Sequence, residues 1–147
     1  MNGQSILVEL QVSKKKKKNN QKNKIKNIET GYNIGELPHE GTLIVCKNVY
    51  GNELNITTRA RKITKEDFYN FEYIFCMDKK NLKDIISFKN KNQINNSKAK
   101  IQRLGDLLND EEDIEDPYCR DIVLFENVFK QVEKYLEVFF ENFDKKK

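Results

Sequence analysis

The sequence predicts an α/β domain with a four-stranded parallel sheet flanked by helices, and three observations carry that prediction. Apolar runs of strand length alternate with helix-length amphipathic stretches along most of the 147 residues. One of those runs, "YIFCM" at residues 73–77, passes straight into "DKKNLKDIISF", the strand-to-helix order of a parallel sheet. Near the C-terminus, Phe125, Val128, Phe129, Val132, Tyr135, Leu136, Phe139, Phe140 and Phe143 recur at three- and four-residue steps, the stripe of a long helix packed on a core.

Taken in order, residues 6–10 form an apolar run that reads as a short buried strand. Residues 13–27, "SKKKKKNNQKNKIKN", have no apolar stripe and read as a disordered basic insert where the first helix is expected. "IKNIET" is a second strand, and "GYNIGELP" a loop punctuated by Gly31, Gly35 and Pro38. A helix carrying Leu43, Ile44, Val45 and Cys46 starts near His39, which faces solvent, and stops near Gly51. "NITTRARKIT" holds an extended piece and a turn. Thr64 followed by Asp67 opens a short helix. After "YIFCM", Asp78 caps the next helix. "AKIQRL" is the fourth strand, ended by Gly105, and the acidic loop "DLLNDEEDIEDPY" follows. Asp121 caps the last helix. Residues 1–147 form a single domain, long enough to bury a core without staples.

The formal charge of +4 is local in origin. Residues 14–26 hold eight lysines and no acid, and without them the balance becomes −4. A lysine run attracts phosphate backbones, but no aromatic or arginine is interleaved for base stacking, which argues against nucleic acid as a partner. Cys46, Cys76 and Cys119 are odd in number, widely spaced and lack any Cys-x-x-Cys pair, so neither a disulfide framework nor a zinc site is expected. One histidine cannot furnish a histidine metal cluster or a Ser-His-Asp triad. No run approaches a membrane span, and the first residues lack a signal-peptide pattern. A cytoplasmic protein without metal or cofactor is expected. Cys46 and Cys76 lie on apolar faces and are expected to be buried, with Cys119 more exposed.

"RARKITKEDFYNFEYIFCMDKKNLKDI", "SKAKIQRLGD" and "IEDPY", in that order and spacing, resemble the low-molecular-weight protein tyrosine phosphatases. "GYNIGELPHEGTLIVCKN" is similar to that family's variable loop and second helix. The resemblance implies metal-free hydrolysis of phosphotyrosine proteins. A thiolate in a Cys-x5-Arg loop attacks phosphorus, backbone N–H groups and the arginine hold the phosphoryl oxygens, and an aspartate protonates the leaving phenolate. By this resemblance Asp116 matches the proton donor, and Tyr118 and Tyr32 match aromatic residues that wall the pocket. Cys119 stands where a second aromatic is common, Thr58 where a histidine often supports the phosphate loop, and Asp78 at a structural aspartate.

The first strand departs from this pattern. The alignment puts Leu10 at the nucleophile and Lys16 near the arginine. Six residues after Cys46, Cys76 and Cys119 stand Asn52, Leu82 and Phe125, so a Cys-x5-Arg motif occurs nowhere in the chain. A lysine draws phosphate as a point charge but cannot form the arginine's two-pronged grip. Loss of a nucleophile costs on the order of 10⁶ in turnover in a well-studied hydrolase. Two readings follow. In one, the gene encodes such a phosphatase and this sequence is a damaged version of it. Lys, Asn and Ile codons are rich in A and T, as in translated non-coding sequence, and a misjoined exon would delete the catalytic loop and leave everything after it intact. In the other, the chain is an inactive relative that binds a phosphoprotein or another protein partner.

Overall fold

In the computed structural model, residues 34–53, 56–57 and 59–145 are described. The expected strands at residues 6–10 and in "IKNIET", the basic insert at 13–27, Leu10, Lys16, Tyr32 and Thr58 all lie outside them.

The described residues form helix α1 (Glu40–Tyr50), a 3-10 turn (Gly51–Glu53), α2 (Asp67–Asn70), strand β1 (Tyr73–Cys76), α3 (Lys79–Lys91), β2 (Lys100–Arg103), a second 3-10 turn (Gly105–Leu107) and α4 (Ile122–Lys145). β1 and β2 pair in parallel, Tyr73 opposite Lys100 and Cys76 opposite Arg103. A parallel pair needs a crossover. α3 supplies it, started by Asp78, whose carboxylate accepts the Asn81 N–H at 2.6 Å. α2 starts later than the Thr64 cap suggests: Asp67 does reach back to accept the Thr64 N–H at 2.8 Å, but the helix begins at Asp67 itself, after Glu66, with no side-chain cap.

Strand alternation puts a core on each side of the pair. Ile74 and Cys76 face α2 and α3, where they join Ile63, Phe68, Ile85 and Ile94. Tyr73 and Phe75 face the other way, onto Phe139 of α4, at ring separations of 4.8 and 5.1 Å. The larger core lies on the α4 side. There Val45 and Cys46 of α1, Met77, Leu104 and Ile114 pack on Phe125, Val128, Phe129, Val132, Tyr135 and Leu136. The Phe and Tyr stripe of α4 is therefore core along its first four turns and half-buried from Phe139 onward. Gly41 lets α1 lie flat on α4, because a Cβ there would meet the Phe125 ring at 2.8 Å. The far end of α1 is tied down by Tyr50, whose hydroxyl donates to Glu133 at 3.1 Å.

Arg61 grips Asp67 with two hydrogen bonds, of 2.8 and 2.6 Å, across the start of α2. Burial alone would raise the Asp67 carboxyl, but the bonds from Arg61 and Thr64 outweigh it and hold the group below the usual carboxylate range.

Two stability changes follow. Leu104 is 1% exposed where β2 meets α4. Leu104→Ala is expected to cost about 3 kcal/mol, read as a lower urea midpoint with an unchanged slope. The folded form of Asp67 titrates below the unfolded one, so its contribution is present above about pH 4 and is lost as pH falls through the depressed folded value. Asp67→Asn is expected to lower stability at neutral pH and to flatten the acid limb. An acid limb as steep as that of the parent protein would count against this linkage.

Candidate functional site

Residues that follow parallel strands gather at their carboxyl ends, where ligands bind in open α/β sheets. Here that edge holds Met77–Asp78 after β1 and the long acidic loop after β2. The loop is held at several points. Its Ile114 N–H donates to the Met77 carbonyl at 2.8 Å, continuing the edge of the sheet by one bond. Arg103, the last residue of β2, has a side chain only 7% exposed. Its guanidinium donates to Asp106 at 2.6 Å, to Asp113 at 2.7 Å and to the Glu111 carbonyl at 3.0 Å. Asp113 also accepts the Lys79 N–H at the start of α3, at 3.1 Å. Tyr135 of α4 donates its hydroxyl to Asp110 at 2.9 Å. Gly105 permits the tight return: a Cβ there would lie 2.0 Å from the Glu112 carbonyl oxygen.

Asp116 follows this anchored stretch. It is half-buried, and its Oδ1 accepts the Tyr118 N–H at 3.0 Å. Pro117 is buried, and its carbonyl accepts the Arg120 N–H at 3.0 Å. Together these bonds make a compact turn in which Cys119 takes a left-handed conformation, φ 57°. Tyr118 stands 45% exposed beside Asp116.

The structure corrects the reading of His39 as a solvent-facing residue. It does begin α1, where its Nδ1 accepts the Gly41 N–H at 3.0 Å. Its ring, however, is half-buried, stacked on Phe125 at 5.0 Å and set against the Tyr118 ring at 5.5 Å. This contact joins the start of α1 to the Asp116 turn. The joining depends on residues far apart in the chain, so local pattern could not reveal it. Arg103 likewise lies in a run whose pattern shows only a strand. An acid three residues later, past a glycine, was the available signal, and it is a weak one.

The three cysteines divide as their flanking patterns suggest. Cys46 and Cys76 are buried and Cys119 is exposed. Burial pushes the Cys46 thiol above its ordinary range. Burial, and then the carboxylates of Asp78 and Asp106, push Cys76 up to about 12. Both remain protonated near neutral pH, and a thiol is not a nucleophile until it ionises. Among the described residues no three His, Cys, Asp or Glu side chains converge as a metal shell. Among those residues, too, no helix is long and apolar enough to cross a membrane.

Comparison with known proteins gives these residues a context. The family described as low molecular weight phosphotyrosine protein phosphatase matches residues 5–147. The phosphatase of that name from Sus scrofa is 38% identical over 111 residues, covering 75% of this chain and 67% of its own. The Homo sapiens protein is 39% identical over 114 residues, covering 76% and 68%. Among solved structures, DARP, the Drosophila arginine phosphatase, superposes with a TM-score of 0.67 at 28% identity, covering 78% of this chain and 72% of its own. YfkJ from Bacillus subtilis gives 0.61 at 28% identity, covering 80% and 70%.

The thiol chemistry has a direct test. Alkylation of the folded protein by iodoacetamide near neutral pH is expected at Cys119 alone, read by peptide mass spectrometry. Cys46 and Cys76 should react only after denaturation. Rapid labelling of either in the folded state would overturn the assignment of inert, buried thiols.

Proposed function

The chain belongs to the low molecular weight phosphotyrosine protein phosphatase family, and from that membership we propose that, as written, it is a catalytically silent member that keeps the acid side of the reaction and lacks the nucleophilic side. Asp116 holds the place of the proton donor, and Tyr118 and Tyr32 hold those of the pocket walls. Leu10 stands where the nucleophile belongs. The observation that carries this reading is the cysteine inventory: no cysteine is followed six residues later by arginine, and the thiols of Cys46 and Cys76 are buried and held protonated. Nothing in the lysine run at 14–26 can attack phosphorus and then leave as a thiolate does.

The fuller architecture in this reading is the four-stranded parallel sheet, with residues 6–10 and "IKNIET" as the remaining strands and 13–27 as a disordered insert. A cytoplasmic setting fits three free thiols. The acid turn is well held even though the motif it would serve is missing. Its integrity supports the reading in which a single segment of the gene or transcript has been replaced and the rest left intact. It also favours the alternative of a dead enzyme that still engages a phosphoprotein, because Tyr118 and Asp116 remain presented.

Two measurements test this. Sequencing the messenger RNA across codons 8–28 is expected to return the lysine run. Recovery of a Cys-x5-Arg loop there would make the protein an ordinary tyrosine phosphatase and overturn the silent reading. The chain expressed as written is expected to hydrolyse p-nitrophenyl phosphate at the rate of its Asp116→Asn variant, both at background. Turnover that Asp116→Asn lowers by about tenfold or more would show a working acid, and a nucleophile outside the motif.

A further inference from the structure

We propose that Arg103 is the positioning residue of the Asp116 turn, acting by charge: its guanidinium holds together two carboxylates that would otherwise push the acidic loop open. The proposal rests on the reading of Asp116 as the family's proton donor.

The acidic loop carries Asp106, Asp110, Glu111, Glu112, Asp113, Glu115 and Asp116 within eleven residues of chain. Like charges so dense favour an extended loop. The observed loop instead folds back until the Glu112 carbonyl presses on Gly105. Arg103 is the cation inside that fold. One of its nitrogens serves Asp106, while the other serves both Asp113 and the Glu111 carbonyl. The Arg103 backbone N–H adds a bond of 3.2 Å to the second Asp106 oxygen. Asp106 lies at the start of the loop and Asp113 three residues before Asp116, so the guanidinium closes the loop at its base. Asp113 carries the restraint onward, because it also accepts the Lys79 N–H. Next to it Ile114 is bonded to Met77. Asp116 is therefore placed from a fixed point two residues away, and Tyr118 meets His39 from that same base.

Removing the guanidinium does more than delete bonds. Asp106 and Asp113, both within reach of one planar group, would then face each other unneutralised. Lysine is no substitute, since a single ammonium cannot span both acids in plane. A role that was only to fill space would be met by methionine.

The test uses the full chain and three variants: Arg103→Met, Arg103→Met combined with Asp106→Asn, and Arg61→Met, which breaks the other arginine–aspartate pair away from the loop. Amide hydrogen exchange of Ile114 and Tyr118, and the ring contact between Tyr118 and His39 read by nuclear Overhauser effects, report the turn. In Arg103→Met those two amides are expected to exchange about tenfold faster or more, with loss of the ring contact. In Arg61→Met both should be unchanged. Adding Asp106→Asn to Arg103→Met should recover much of the protection, because the repulsion has been removed. Unchanged protection in a folded Arg103→Met protein, or no recovery in the double variant, would overturn the proposal. If Arg103→Met does not fold, Arg103→Lys gives the reading: a single ammonium cannot span both acids, so the contact between Tyr118 and His39 is expected to be lost, and an intact contact would refute the clamp. These readouts do not depend on catalysis. Failure of the acid reading would appear separately, as measurable turnover that Asp116→Asn leaves unchanged while the turn responds to the Arg103 variants as stated.

Discussion

The parallel pairing of Tyr73–Cys76 with Lys100–Arg103 is the constraint on which the described structure depends. Only four residues of each strand take part, yet the pairing settles three things at once. Parallel direction requires a crossover, and α3 provides it. Alternation in β1 sends Ile74 and Cys76 to one side and Tyr73 and Phe75 to the other, so helices must cover both. Both carboxyl ends point to the same edge, which brings Asp78, Arg103 and the acidic loop together. A shift of register by one residue would exchange the faces and move Arg103 out of reach of its acids.

That edge is rich in charge, and the charges are used structurally. Asp78 caps α3, Asp113 serves both the α3 N-terminus and Arg103, and Asp106 completes the grip on the guanidinium. Carboxylates near a helix N-terminus lie in a favourable field, and two of them here do so. Much of the acidic run therefore acts as internal bracing. Asp116 comes after that bracing, in a turn pinned by its own bond to the Tyr118 N–H and by the burial of Pro117.

The match to the phosphatase family spans residues 5–147 and so includes the segment in which the Cys-x5-Arg motif is missing. From residue 73 onward strand, crossover helix, second strand and acid turn follow in order. The family's nucleophile depends on a short loop of defined spacing, and the chain offers no cysteine with that spacing. The two buried thiols cannot fill the gap, since the burial that makes Cys46 and Cys76 good core residues also keeps them protonated.

Local signals in the sequence determined the elements whose cause is itself local. The Asp78 and Asp121 caps, the apolar run of β1 and the stripe of α4 all act within a few residues, and each stands where pattern put it. The buried or exposed state of the three cysteines was legible for the same reason, since flanking hydrophobicity sets the face on which each falls. The absence of Cys-x5-Arg was legible because spacing alone defines it. Only the tertiary structure decided the partners of Arg103, the stacking of His39 on Phe125 with its edge contact to Tyr118, and the close approach of Gly105 to Glu112. Those contacts join residues that come together only after the sheet has paired and α4 has packed across it. No periodicity or cap signature encodes a meeting of that kind, and it is such meetings that position the Asp116 turn.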